Sequence, residues 1–142
     1  MGTSPPPDRP EVADDVLDRL RSICLALPEV VEEEAWVGTR WVIRKKNFAH
    51  VLVIADGWPP AYARAAGSAG PRVVLTFRTP EPEFYEAGRA EDPFFYPGWF
   101  RDLVGLVLDG TVGWDEIGEL ITDSYCLLAP RRLAAQVCGA RD

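Results

Sequence analysis

Thr39-Arg40-Trp41-Val42-Ile43-Arg44, Lys45-Lys46-Asn47, then Phe48-Ala49-His50-Val51-Leu52-Val53-Ile54: this continuous stretch carries the plainest structural pattern in the chain. Its outer runs are rich in β-branched and aromatic residues, and the polar centre reads as a turn, so the whole predicts a β-hairpin. Strand alternation sets Arg40 and Arg44 on the face opposite Trp41 and Ile43, and groups His50 with Phe48, Leu52 and Ile54. Downstream, Arg72-Val73-Val74-Leu75-Thr76-Phe77-Arg78 repeats the pattern, with Arg72, Thr76 and Arg78 opposite Val73, Leu75 and Phe77. Between hairpin and third strand, residues 56–71 are rich in Gly, Pro and Ala. They predict a loop with a helical turn at Tyr62–Ala66. Leu103 to Leu108 predicts a fourth strand.

Helical spacing takes over on both sides. Val12, Val16, Leu17, Leu20, Ile23, Cys24 and Leu27 form one apolar stripe, started by Asp8-Arg9-Pro10-Glu11 with Asp8 as cap and stopped by Pro28. Thr79 caps a short helix that opens with Pro80 and closes at Gly88. A closing helix starts near Trp114-Asp115-Glu116 and buries Trp114, Ile117, Leu120, Ile121, Tyr125 and Leu128. Pro130 interrupts it, and Arg131 to Val137 adds further turns. Ser124-Tyr125 lies on this helix, and spacing with Ile121 and Leu128 puts the Tyr125 ring in the core, its hydroxyl bonded to backbone. The order predicts an α+β fold in a single domain: an antiparallel sheet with an N-terminal helix and C-terminal helices. The domain is expected over residues 10–138, after a Pro-rich flexible tail, 1–9.

The chain has 142 residues and a net charge of −7, which opposes a generic polyanion binder. The charge is segregated. Residues 1–39 carry three basic and nine acidic side chains, residues 40–78 seven against Asp56 alone, and residues 79–142 five against twelve. A basic middle between acidic flanks points either to a local anionic partner or to pairing within the fold.

Catalytic constellations are missing from the reading. His50 is the sole histidine, and a structural strand role is expected for it. Glu32-Glu33-Glu34 reads as solvated surface. Cys24, Cys126 and Cys138 make an odd count without CxxC spacing. All three are expected unpaired, Cys24 and Cys126 as core residues and Cys138 as the most reactive. No enzyme, cofactor or metal is expected. The first residues lack the pattern of a secretory leader, so a cytoplasmic setting without membrane contact is expected.

Two surfaces remain as candidates. Arg40, Arg44, Lys45, Lys46, Arg72 and Arg78 would meet a nucleic-acid phosphate backbone from the sheet face and hairpin tip. That reading expects Arg40, Arg44, Arg72 and Arg78 exposed on one surface with few carboxylates near. Alternatively, Phe94, Phe95, Tyr96, Trp99 and Phe100, five aromatics in seven residues, would contact a protein or small ligand.

The order of motifs resembles the MmcQ/YjbR family, small bacterial α+β proteins described as DNA-binding with a double-wing fold. The stretches that carry the resemblance are Ile23-Cys24-Leu25-Ala26-Leu27-Pro28-Glu29-Val30, Val42-Ile43-Arg44-Lys45-Lys46-Asn47-Phe48-Ala49 and Leu75-Thr76-Phe77-Arg78. Trp114-Asp115-Glu116, Asp123-Ser124-Tyr125 and Ala129-Pro130-Arg131-Arg132-Leu133 complete it. The resemblance implies DNA binding through the basic residues above. After its Pro-aromatic loop the family usually has a basic or glycine-rich turn and a tryptophan; here Asp102 and Leu103 stand there, so one wing has lost basic character.

Overall fold

A computed structural model describes residues 10–86 and 91–139 of the chain. The expected tail 1–9, the Asp8 cap and the closing Gly88 lie outside those residues. The hairpin forms from β2 (Thr39–Ile43) and β3 (Lys46–Ile54), paired antiparallel. Its turn is Arg44-Lys45, with φ of 50° and 69°, one residue earlier and shorter than the Lys45-Lys46-Asn47 turn expected. Two consecutive left-handed residues match the right-handed twist of the strands they join.

β1 (Val30–Glu34), β4 (Arg72–Arg78), β5 (Phe94–Phe95) and β6 (Leu103–Val107) complete a six-stranded sheet in the order β1-β2-β3-β4-β6-β5. Every neighbouring pair is antiparallel. β3 is bulged: Ala49 faces Trp41 and Asn47 faces Val42, leaving Phe48 as the extra residue. The bulge breaks the simple alternation expected from the sequence. Phe48 joins Ala49 and Val51 on the helix side, where its ring meets Tyr125 edge to face at 5.5 Å. His50, Leu52 and Ile54 keep the other side.

Among the described residues five α-helices flank the sheet: α1 (Asp14–Cys24), α2 (Pro60–Ala66), α3 (Pro82–Phe84), α4 (Trp114–Leu128) and α5 (Arg131–Cys138). α1 starts later than the stripe predicts, after an extended Ala13 and without a side-chain cap. Asp14 and Asp15 in its first turn still complement the helix dipole. α1, α4 and α5 cover one face. There Leu20, Cys24, Ile117, Ile121, Tyr125 and Leu133 pack against Trp41, Ile43, Leu75, Phe77, Val104 and Leu106. α2 covers part of the opposite face, where Trp58, Tyr62 and Ala63 rest on Leu52, Ile54, Val74 and Val107.

That second layer corrects the expectation of an open polar sheet face: His50 and Thr76 are buried beneath it. Two glycines allow close contacts in this layer. A Cβ on Gly105 would collide with the Phe95 ring, and one on Gly38, at φ 78°, with the Val51 carbonyl.

The cysteines differ from expectation. Cys24 is buried and free, but Cys126 and Cys138 form a disulfide across a Cα separation of 6.6 Å. Pro130 breaks the helical run, and α5 folds back on α4, bringing together residues twelve apart. Linear spacing does not reveal such a contact.

Candidate binding surface

The basic residues come first. Arg40 lies directly across from Glu33 in the β1–β2 register and donates to its Oε1 at 2.8 Å. Arg44, in the hairpin turn, reaches Oε1 of Glu29 at 2.7 Å. Arg72 meets Asp92 at 3.3 Å, and Arg78 meets Asp102 at 2.6 Å. Two of these carboxylates precede the basic segment and two follow it. The acidic flanks therefore fold onto the basic middle, and the expectation of four arginines with few carboxylates near them is overturned. Among the described residues, Lys45 and Lys46 are exposed without a carboxylate partner.

Pairs this accessible to solvent add little stability, roughly 0–1 kcal/mol each. Their consequence is electrostatic. Each guanidinium already faces an anion, so a phosphate would have to displace a carboxylate rather than meet a free cation.

Glu32 and Glu33 are not the solvated run expected of them. β1 alternation turns Glu32 toward the helices, where Trp41 Nε1 and Arg21 Nε both donate to it at 3.0 Å. Glu33 points to the other face and Arg40.

His50 is a buried strand residue, as its position predicts. Its Nε2 lies 2.7 Å from the Val37 carbonyl, which can only accept, so Nε2 carries the proton. Nδ1 is then left to accept from the Tyr62 hydroxyl at 3.4 Å. Burial holds the His50 pKa below its ordinary value; the Val37 bond opposes this, and the Arg40 charge reinforces it. The ring is neutral near pH 7.

The aromatic loop divides into two. Phe95 is buried on Gly105, Phe94 lies beside Tyr85, and the Tyr96 hydroxyl donates to the Arg101 carbonyl at 2.7 Å. These three complete the fold. Trp99 and Phe100 remain 41% and 56% exposed. Trp99 packs edge to face on Tyr62 with centroids 4.9 Å apart, and the Arg78 guanidinium sits 4.8 Å over the Phe100 ring. On the β1–β2 turn, Trp36, 52% exposed, meets Trp58 edge to face at 5.5 Å. Tyr62, Trp58 and Trp36 were not among the residues picked from sequence. Their aromatic character inside polar, Gly/Pro-rich segments was the available signal.

The YjbR family model matches residues 25–127, from the end of α1 through nearly all of α4. The chain belongs to the YjbR family. Two crystal structures share the YjbR fold. A protein from Pseudomonas syringae is 18% identical, with 82% of this chain and 98% of that one covered and a TM-score of 0.58. A protein from Deinococcus radiodurans, described by its DUF419 domain, is 23% identical, with 86% and 87% covered and a TM-score of 0.58. No curated protein matches the sequence.

Within this YjbR chain, the Ser124-Tyr125 pair pins segments together. The fully buried Ser124 hydroxyl donates to the Phe48 carbonyl at 2.7 Å and accepts from the Arg78 amide at 2.8 Å. It thereby binds the bulge of β3 and the end of β4 to α4. The Tyr125 hydroxyl donates to the Pro28 carbonyl at 2.8 Å, the backbone bond that its sequence position predicts. Among the described residues of this YjbR protein, no group of three or more His, Cys, Asp or Glu side chains could hold a metal ion. Nor is any described helix long and apolar enough to cross a membrane.

Proposed function

We propose that this YjbR protein is a binding module that engages a protein partner through Trp99 and Phe100, with Tyr62 beside them. The observation that carries the reading is the pairing of Arg40, Arg44, Arg72 and Arg78 with Glu33, Glu29, Asp92 and Asp102. It leaves none of these four arginines as a free cation for a phosphate-binding face. Two large exposed rings, held from behind by Tyr62 and Arg78, remain as a preformed apolar contact. Aromatic side chains of this kind dominate binding energy at protein interfaces. Rings standing proud of the surface suit a partner's surface better than an enclosed small molecule.

Nucleic-acid binding survives as a second reading through Lys45 and Lys46, the free cations at the hairpin tip. Two phosphate contacts would give a log–log salt slope of only about −1.8.

Retention of partners from the cell of origin, compared at low and high salt, tests the proposal. A Trp99→Ser/Phe100→Ser variant should lose a partner that the unaltered chain keeps at high salt, while Lys45→Glu/Lys46→Glu should retain it. Retention that vanishes with salt and with the lysine changes, but survives loss of both rings, would reverse the choice.

A further inference from the structure

We propose that the Cys126–Cys138 bridge is a thiol–disulfide exchange site whose reduction releases the last turn of α5 from α4. This goes beyond the aromatic contact and shares no residue with it.

The two halves of α5 are held differently. In the first half Leu133 is buried in the helix-side core, and Arg132 lies 3.7 Å from Glu29. In the second half Ala135 and Gln136 are exposed and Val137 is half-buried. The helix then ends at Gly139, which leaves the helical conformation with φ of 70°. The bridge is thus the covalent tether of a turn that otherwise rests on the core through the half-buried Val137. Both bridged cysteines are only half-buried, within reach of an attacking thiolate. Cys24 is the opposite case. It is fully buried, and desolvation, with Glu32 nearby, pushes its thiol pKa far up, so it does not compete in exchange.

Beside the bridge lies an open cleft of about 480 Å³. Ile23 of α1, Glu119 and Asp123 of α4, and Val137 and Cys138 of α5 line it. Releasing the last turn moves Val137 and Cys138 and so reshapes the cleft.

The exchange balances with a dithiol as reductant. One thiolate of the dithiol attacks a bridge sulfur, forms a mixed disulfide and expels the other cysteine as thiolate. The second dithiol sulfur then closes on the mixed disulfide and frees the first cysteine. Two electrons and two protons pass to Cys126 and Cys138, and the dithiol leaves as a cyclic disulfide.

The test uses the full chain and dithiothreitol. Denatured without reductant, it should show one titratable thiol per chain, Cys24, and three after reduction. Native-state hydrogen exchange at residues 136–139 should rise roughly tenfold or more on reduction, with β3 and β4 amides unchanged. A Cys126→Ser/Cys138→Ser variant should exchange like the reduced protein and ignore dithiothreitol. Three thiols before any reductant, or equal exchange of the last turn in both states, would overturn the proposal.

Discussion

Ser124 joins three segments through one hydroxyl: its own helix, the bulge at Phe48 and the end of β4 at Arg78. A bulge leaves backbone groups without ladder partners, and a buried carbonyl so stranded is costly. Ser124→Ala should therefore destabilise the protein by about 1–3 kcal/mol, read from urea unfolding. Tyr125→Phe, which loses one bond at the Pro28 carbonyl, should cost about 1 kcal/mol. A Ser124→Ala variant as stable as the unaltered protein would show that the bulge does not depend on this joint. His50 carries a second expectation at this scale. Its folded pKa is depressed, so its contribution to stability is present above the unfolded value of 6.5. It is lost as pH falls below that value toward the folded pKa, because the unfolded chain takes up the proton first. Urea midpoints should fall between pH 7 and pH 5.5, and His50→Gln should flatten that dependence. An identical slope in the variant would contradict the neutral, buried ring. The roles of His50 and Tyr125 were legible because strand and helix periodicity fix which way a side chain points. The second bond of Ser124 was not, because it depends on an irregularity in a strand far along the chain.

β4, α4 and both hairpin strands follow from apolar periodicity, which records the burial that holds them. β1 does not. Three consecutive glutamates read as a solvated run, yet they form an edge strand because Arg21 and Trp41 take Glu32 on one face and Arg40 takes Glu33 on the other. Local propensity has no access to partners supplied by α1 and β2. The same blindness hid the bridge between α4 and α5. β5 is a two-residue strand that exists because Gly105 leaves room for the Phe95 ring. Gly105→Ala should push that ring aside and cost about 1–3 kcal/mol in thermal or urea unfolding. If the substitution is neutral, the contact between the Phe95 ring and Gly105 does not hold β5 in place.

Charge at the scale of the fold is complementary: among the described residues, acidic segments before and after the basic one supply carboxylates to four of its arginines. The segregation was plain in the sequence; the pairing was not, because it needs Asp92 and Asp102 from one flank and Glu29 and Glu33 from the other to arrive at particular arginines. A net charge of −7 then leaves Lys45 and Lys46 as the exposed unpaired cations of the expected nucleic-acid surface. Pairing neutralises this surface, and salt-titrated binding of a random-sequence DNA duplex reads the neutralisation out. Binding should be weak or absent, with a log–log slope no steeper than about −1.8 and complete loss in Lys45→Glu/Lys46→Glu. Tight binding with a slope near −5.4, the value for about six phosphate contacts, that falls when Arg40, Arg44, Arg72 and Arg78 are replaced would contradict it.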